Sequence, residues 1–287
     1  MGTEVRRVGV IGAGTMGNGI AQVAAAGGLV VTMTDVSPDA LKRGVDAVGK
    51  SLDRLLAKQK LSAADKAAIL GRIETATSLE ALANCDVVVE AATENVELKL
   101  RIFADLDRIA APAAILASNT SSISLTRIAA ATKRPAQVIG MHFFNPVPVM
   151  QLVELIRALQ TSDATYDAIK ALTEKIGKTP VEVKNSPGFV ANRILLPMLN
   201  EAAYCLYEGL AAAEDIDTVM KLGMAHPIGP LALADLIGLD TCLAILQVLY
   251  DGFKDPKYRP CPLWREKVDA GQLGRKSGRG FFDYAGR

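Results

Sequence analysis

Val8-Gly9-Val10-Ile11-Gly12-Ala13-Gly14-Thr15-Met16-Gly17, with Leu29-Val30-Val31-Thr32-Met33-Thr34-Asp35 a dozen residues on, is the stretch that decides the fold. Residues 5–11 read as a buried strand. Residues 15–27 are small and apolar, which suits a helix packed closely on a sheet. Residues 29–34 read as a second strand that ends at Asp35. Between the first strand and the helix the glycines fall in the pattern G-x-G-x-x-G. The first permits a tight turn, the second lets backbone approach a pyrophosphate, and the third allows close helix–strand packing. The helix N-terminus then offers N–H groups to an anion. Gly12, Ala13, Gly14, Thr15, Met16 and Gly17 are therefore read as a dinucleotide cradle, with Asp35 placed to bind a ribose 2′-hydroxyl. A carboxylate there repels a 2′-phosphate, which favours NAD over NADP. FAD folds share the fingerprint and stay open on this ground alone.

Outward from this unit, short continuous apolar runs recur at 86–91, 114–118, 137–142, 150–156 and 180–184. Such runs belong to a parallel sheet covered on both faces. Helical patterns separate several of them, so the fold class is α/β: an N-terminal doubly wound, Rossmann-like domain. Residues 38–70 break the alternation, reading as helix twice over and carrying Lys42, Lys50, Lys58, Lys60 and Lys66. This is a helical insertion, a place where substrate contacts are often carried. At Asn185-Ser186-Pro187-Gly188 the hydrophobic period changes from strand-like to helix-like. The domains are accordingly 1–185 and 186–287, the second all-α.

Bulk properties narrow the partners. The 287 residues are 50% hydrophobic and 22% charged, an ordinary globular balance. Lys and Arg (32) nearly equal Asp and Glu (31), so no charge excess points to nucleic acid or an anionic membrane. Cys85, Cys205, Cys242 and Cys261 are widely spaced, which fits reduced thiols rather than a disulfide framework or a zinc site. No apolar run reaches membrane-spanning length and no leader pattern opens the chain, so a cytoplasmic location is expected.

The chain has two histidines, and one of them, His142, ends a predicted strand. Carboxyl ends of strands in an open α/β sheet face the ligand crevice. A neutral imidazole there can take the proton of a substrate hydroxyl as hydride leaves. Glu154 stands amid apolar residues on the next strand and needs a partner to be buried; His142 is the natural one. Ser118-Asn119-Thr120-Ser121-Ser122 adds hydroxyl and amide donors at the same edge. Asn192 falls in an early turn of the first C-terminal helix. Read singly, each has an ordinary alternative: a core histidine, an outward glutamate, a capping loop, a surface amide.

Taken together, the chain from Val8 to Tyr284 resembles the 3-hydroxyacyl-CoA dehydrogenase family, and most nearly its bacterial 3-hydroxybutyryl-CoA branch. The anchors are the glycine turn, residues 118–122, His142-Phe143-Phe144-Asn145-Pro146, Leu152-Val153-Glu154, Pro187-Gly188-Phe189-Val190-Ala191-Asn192-Arg193, and the tail Lys276-Ser277-Gly278-Arg279-Gly280-Phe281-Phe282-Asp283-Tyr284. The resemblance implies reversible, NAD-dependent oxidation of a (3S)-3-hydroxyacyl-CoA. His142 becomes the acid/base and Glu154 its partner. Ser121 and Asn192 hold the substrate oxygen. Asn145, Glu94, Lys99, Lys276 and again Ser121 serve the cofactor. The insertion carries the CoA tail, with Ser51 and Lys58 at its contact positions and Ser121 at the acyl end; a lysine suits its phosphates. A homodimer through the C-terminal domain is implied, with the apolar runs 231–239 and 243–249 as faces for a second copy or as internal core. The length suits a short-chain enzyme without a fused hydratase. The alternatives are a dehydrogenase of a free hydroxy acid such as gulonate, and a non-catalytic, crystallin-like NAD-binding protein. The hydroxyisobutyrate and phosphogluconate group shares the glycine turn but relies on a catalytic lysine.

Overall fold

A computed structural model describes residues 5–285. The chain divides into two compact units, one ending at Asn185 and one beginning at Ser186.

The first unit starts with β1 (Arg7–Ile11), α1 (Thr15–Ala26), β2 (Val30–Thr34), α2 (Pro38–Ala57), α3 (Ala63–Gly71) and β3 (Ile73–Ala76). It continues with β4 (Val87–Glu90), α4 (Val96–Ile109), β5 (Ile115–Ser118), α5 (Leu125–Ala129), β6 (Val138–Phe143), β7 (Leu152–Arg157), α6 (Asp163–Lys175) and β8 (Thr179–Lys184). The strands form one sheet in the order β3-β2-β1-β4-β5-β6-β7-β8. Pairing is parallel from β3 to β6; β7 runs antiparallel to β6, and β8 parallel to β7. The strand order reverses between β1 and β4, and ligands of open α/β sheets bind at such a switch point.

The apolar runs explain the burial. Val87, Val88 and Val89 are consecutive and all buried, which requires cover on both faces of β4. On α2 the buried residues are Leu41, Gly44, Val48 and Leu52, a helical spacing that lays one stripe on the core. Burying Leu41, Val48 and Leu52 contributes roughly 1.5–3 kcal/mol each. Ser37 starts α2 by accepting the Ala40 N–H at 3.2 Å, with Pro38 in the first turn. Ser62 and Asp65 form a reciprocal capping box that starts α3. The insertion at 38–70 is therefore two helices, each with its own start signal.

One strand, β3, has no counterpart among the sequence expectations. Ile-Glu-Thr-Ala is only four residues long and has two exposed positions at the sheet edge. Too little of it is buried to leave an apolar run.

The second unit contains α7 (Ala191–Tyr207), α8 (Ala213–Gly223), α9 (Pro230–Ile237), α10 (Leu239–Phe253) and α11 (Pro262–Asp269). Its core gathers Leu196, Leu199, Leu239, Leu246, Leu249 and Trp264. The runs 231–239 and 243–249 are therefore internal core at Leu231, Ala234, Leu239, Leu246 and Leu249. Asn200 pins the far side of this core: its Oδ1 accepts the Trp264 indole N–H and the Cys261 N–H, both at 2.9 Å. Asp235 holds the C-terminal tail by accepting the N–H groups of Phe281 and Phe282 and the Tyr284 hydroxyl. Among the described residues no single helix is long and apolar enough to cross a membrane.

Candidate active site

The glycine turn joins β1 to α1. Gly12 has φ +96°, and a Cβ there would come within 2.8 Å of the Ala91 carbonyl oxygen. Gly17 packs so closely that a Cβ would lie 1.8 Å from the Gly12 carbonyl oxygen. At Gly14, by contrast, a Cβ would meet nothing within 4 Å. Open space over the second glycine is what a pyrophosphate approaching the backbone needs. Gly14 also N-caps α1 without a side-chain cap, and the first turn of α1 holds no acidic residue. Its N–H groups suit an anion.

Asp35 follows β2 and holds this turn directly. Its Oδ2 accepts the Ala13 N–H and its Oδ1 the Ser37 N–H, both at 3.0 Å. The same cleft is lined by Thr15, Asn18, Arg43 and Ala92. Thus Gly12–Gly17 and Asp35 form one cradle that fits a dinucleotide.

Two loops rise beside it, after β4 and β5. Glu94 bridges them, accepting the Thr120 hydroxyl at 2.7 Å and the Ser121 N–H at 3.1 Å. The structure therefore brings Glu94 and Ser121 together. It does not bring Lys99 to the surface of the cleft. Lys99 is 1% exposed, and its ammonium is bound to the carboxylate of Glu90.

His142 lies on β6 directly opposite Glu154 on β7. The pair is buried, and His142 Nδ1 stands 2.7 Å from Glu154 Oε2. A carboxylate beside Nδ1 makes that nitrogen the donor, so the basic nitrogen of the neutral ring is Nε2. Phe144 packs on the imidazole with ring centroids 4.7 Å apart. Asn119 fixes the same strand end, its Oδ1 accepting the Phe143 N–H at 2.9 Å. Asn145 follows on an exposed loop whose Val147 is buried against Gly19 of α1. Lys178, itself buried, ties that loop down by donating to the carbonyls of Val147 (2.6 Å) and Met150 (2.7 Å). Desolvation holds its ammonium below the usual lysine range.

Ser51 is half-buried on α2, and Lys58 is the exposed residue that ends it, two helical turns away. In the second unit, Asn192 is buried in the first turn of α7. Just before it, Phe189 holds a left-handed backbone with φ +51°. Lys276 pairs with Asp240 at 2.6 Å.

Sequence reasoning gave no role to Glu90 or Lys178, and it read Asn119 as an amide donor at the sheet edge, where its Oδ1 accepts the Phe143 N–H. A lone acid closing the apolar run Val87-Val88-Val89-Glu90 was the available signal for the first. Lys178 and Asn119 bond to backbone, which no residue pattern announces.

A dinucleotide cradle and a buried His–Glu pair on one sheet are the parts that a dehydrogenase moving a proton with its hydride requires. The family described as 3-hydroxyacyl-CoA dehydrogenase matches twice, its NAD-binding domain over residues 7–186 and its C-terminal domain over 188–284. The chain belongs to the 3-hydroxyacyl-CoA dehydrogenase family and is an NAD-dependent oxidoreductase. A probable 3-hydroxybutyryl-CoA dehydrogenase of Bacillus subtilis is 57% identical over 281 residues, covering 98% of both chains. A 3-hydroxybutyryl-CoA dehydrogenase of Bradyrhizobium diazoefficiens is 54% identical over 286 residues, covering 100% of this chain and 98% of its own. The crystal structure of (S)-3-hydroxybutyryl-CoA dehydrogenase from Ralstonia eutropha superposes with a TM-score of 0.95 at 60% identity, covering 98% and 100%.

Proposed function

We propose that this chain interconverts (3S)-3-hydroxyacyl-CoA and 3-ketoacyl-CoA, with 3-hydroxybutyryl-CoA as its short-chain substrate, and that His142 moves the proton. The observation that carries the reading is the buried His142–Glu154 pair at the carboxyl end of β6. NAD, when bound, supplies the acceptor for the hydride from C3. His142 Nε2 takes the hydroxyl proton in oxidation and returns it in reduction. Glu154 orients the ring and stabilises the imidazolium that forms. Ser121 and Asn192 hold the substrate oxygen, and Asn145 positions the reacting groups. Glu94 orders the Ser121 loop through the bonds described above. Lys276 keeps the cofactor role that the family resemblance gives it.

The CoA tail is assigned to α2, with Ser51 and Lys58 as contacts. They share one side of the helix, and the Lys58 ammonium meets a phosphate. A homodimer through the second unit is supported by large apolar side chains that stay exposed there: Leu210, Val219, Leu222 and Met224. Light scattering would give twice the chain mass, and Leu222→Glu would lower it. Free thiols at all four cysteines fit a reducing, cytoplasmic setting.

The assay is NADH oxidation with acetoacetyl-CoA beside free acetoacetate. Turnover confined to the thioester supports the proposal. Turnover of the free acid would make this a hydroxy-acid dehydrogenase, and no turnover of either would make it a binding protein.

A further inference from the structure

Glu90 closes β4 and is fully buried, an acidic side chain at the end of an apolar run. The parallel register sets it between Ile11 at the end of β1 and Ser118 at the end of β5. Its carboxylate gathers four donors. Oε1 accepts the N–H of Ala92 at 2.9 Å and of Thr93 at 3.3 Å. Oε2 accepts the Ser118 hydroxyl at 3.1 Å and the Lys99 ammonium. A carboxylate has about four lone-pair sites, so this one is filled.

Each donor leads to a working part. Ala91 and Ala92 are the residues against which Gly12 packs, and two residues on stands Glu94. Ser118 passes the connection forward, accepting the Thr120 N–H at 3.2 Å, and Thr120 in turn bonds Glu94. Lys99 lies in the first turns of α4, the helix that follows the Glu94 loop. A buried ion pair is a poor way to stabilise a strand end, because apolar residues of similar volume do as well or better. What an acceptor-only group offers here is a fixed spacing between two loops.

We infer that Glu90 is a positioning residue that locks the β4 and β5 loops against the glycine turn, and that Lys99 serves the site through Glu90. The inference rests on reading this cleft as the NAD site. It adds to the cofactor role that the family resemblance gives Lys99 a second one, holding the carboxylate that spaces the loops. Glutamine cannot replace Glu90, since its Nε2 turns a donor toward Lys99 or Ser118. Lys99→Met leaves the carboxylate buried without its ammonium partner.

The test is a double-mutant cycle on NADH affinity, kcat and melting temperature, using wild type, Glu90→Gln, Lys99→Met and the double variant. Each single change is expected to weaken NADH binding and lower kcat by about tenfold, with the double variant no worse than the worse single, the signature of coupled neighbours. Melting should recover in the uncharged double variant while kcat stays low. Additive losses in NADH affinity would overturn the inference, because Lys99 would then act independently of Glu90. So would variants that melt early but bind and turn over normally. Ser118→Ala provides a gentler probe if the singles fail to fold: it should lower kcat several-fold with little change in melting, and wild-type kcat would count against the lock. Wild type that binds no NADH would overturn the site reading itself. Normal wild-type binding with indifferent variants would overturn only the inference about Glu90.

Discussion

Glu154 stands directly across the β6–β7 ladder from His142 and holds its Nδ1 at 2.7 Å. Antiparallel pairing makes this contact almost obligatory, because opposed residues place their side chains on the same face. The sheet therefore sets the orientation of the imidazole before any ligand arrives. Glu154→Gln keeps the shape and removes the charge. We predict a fall in kcat of about 10²-fold, within the range of general acid–base assistance, with NADH affinity retained. Steady-state kinetics with separate NADH titrations would check it; a loss confined to the KM for NADH would contradict it.

Asp35 bears on cofactor choice as well as on the glycine turn. It accepts the Ala13 N–H, and Arg43 lines the same cleft. Asp35→Ser should weaken NADH and improve NADPH relative to it, since a repelling carboxylate is lost while a guanidinium remains. The ratio of kcat/KM for the two cofactors is the readout. An unchanged ratio would remove Asp35 from the adenosine-ribose site.

Lys178 links α6 and β8 to the loop that carries Asn145. Lys178→Met would leave the carbonyls of Val147 and Met150 without their donor. The Val147 carbonyl is the buried one, and an unmet buried acceptor costs about 1–3 kcal/mol, so denaturant midpoints should fall and kcat should drop as the loop loosens. A variant as stable and active as wild type would show that the ammonium is dispensable.

The thiols give an alkaline signature. Burial pushes Cys85 up to about 11 and Cys242 up to about 12, while Cys205 is half-buried. In the unfolded chain thiols ionise near pH 8.5. Between about 8.5 and 11 the unfolded state binds fewer protons at these sites, so their contribution to stability falls as pH rises. Lys178 works the other way: its lowered value makes the unfolded state bind more protons just below 10.5, so its contribution rises there with pH. We expect Ellman's reagent at pH 8 to titrate Cys205 alone in the native protein and all four thiols after unfolding. Cys85→Ala should flatten the alkaline loss of the urea midpoint; an unaltered slope, or rapid native labelling at Cys85, would contradict this.

The sequence exposes those features that a ligand or a sheet demands of residue type. Gly12, Gly17 and Asp35 are legible because few residues suit their tasks, and β4 and β5 because double burial leaves unbroken apolar runs. Strand β3 is illegible because Glu74 and Thr75 face outward on an edge. Strand β6 runs one residue beyond its expected end, to Phe143, so His142 sits within the ladder rather than at its tip. The pairing of Glu90 with Lys99 depends on α4 folding back over the strand end. Nine residues of separation say nothing of that. The apolar faces at 231–249 were ambiguous between an interface and a core, since periodicity shows that a face is buried without showing against what; packing within the second unit decides for core at most positions.

The central claim is that His142 carries the proton, and His142→Gln tests it most directly. With acetoacetyl-CoA and NADH, kcat should fall by about 10²–10⁴-fold while the dissociation constant for NADH stays within a factor of about two of wild type. Turnover preserved within a few-fold would place the acid/base elsewhere and contradict the account.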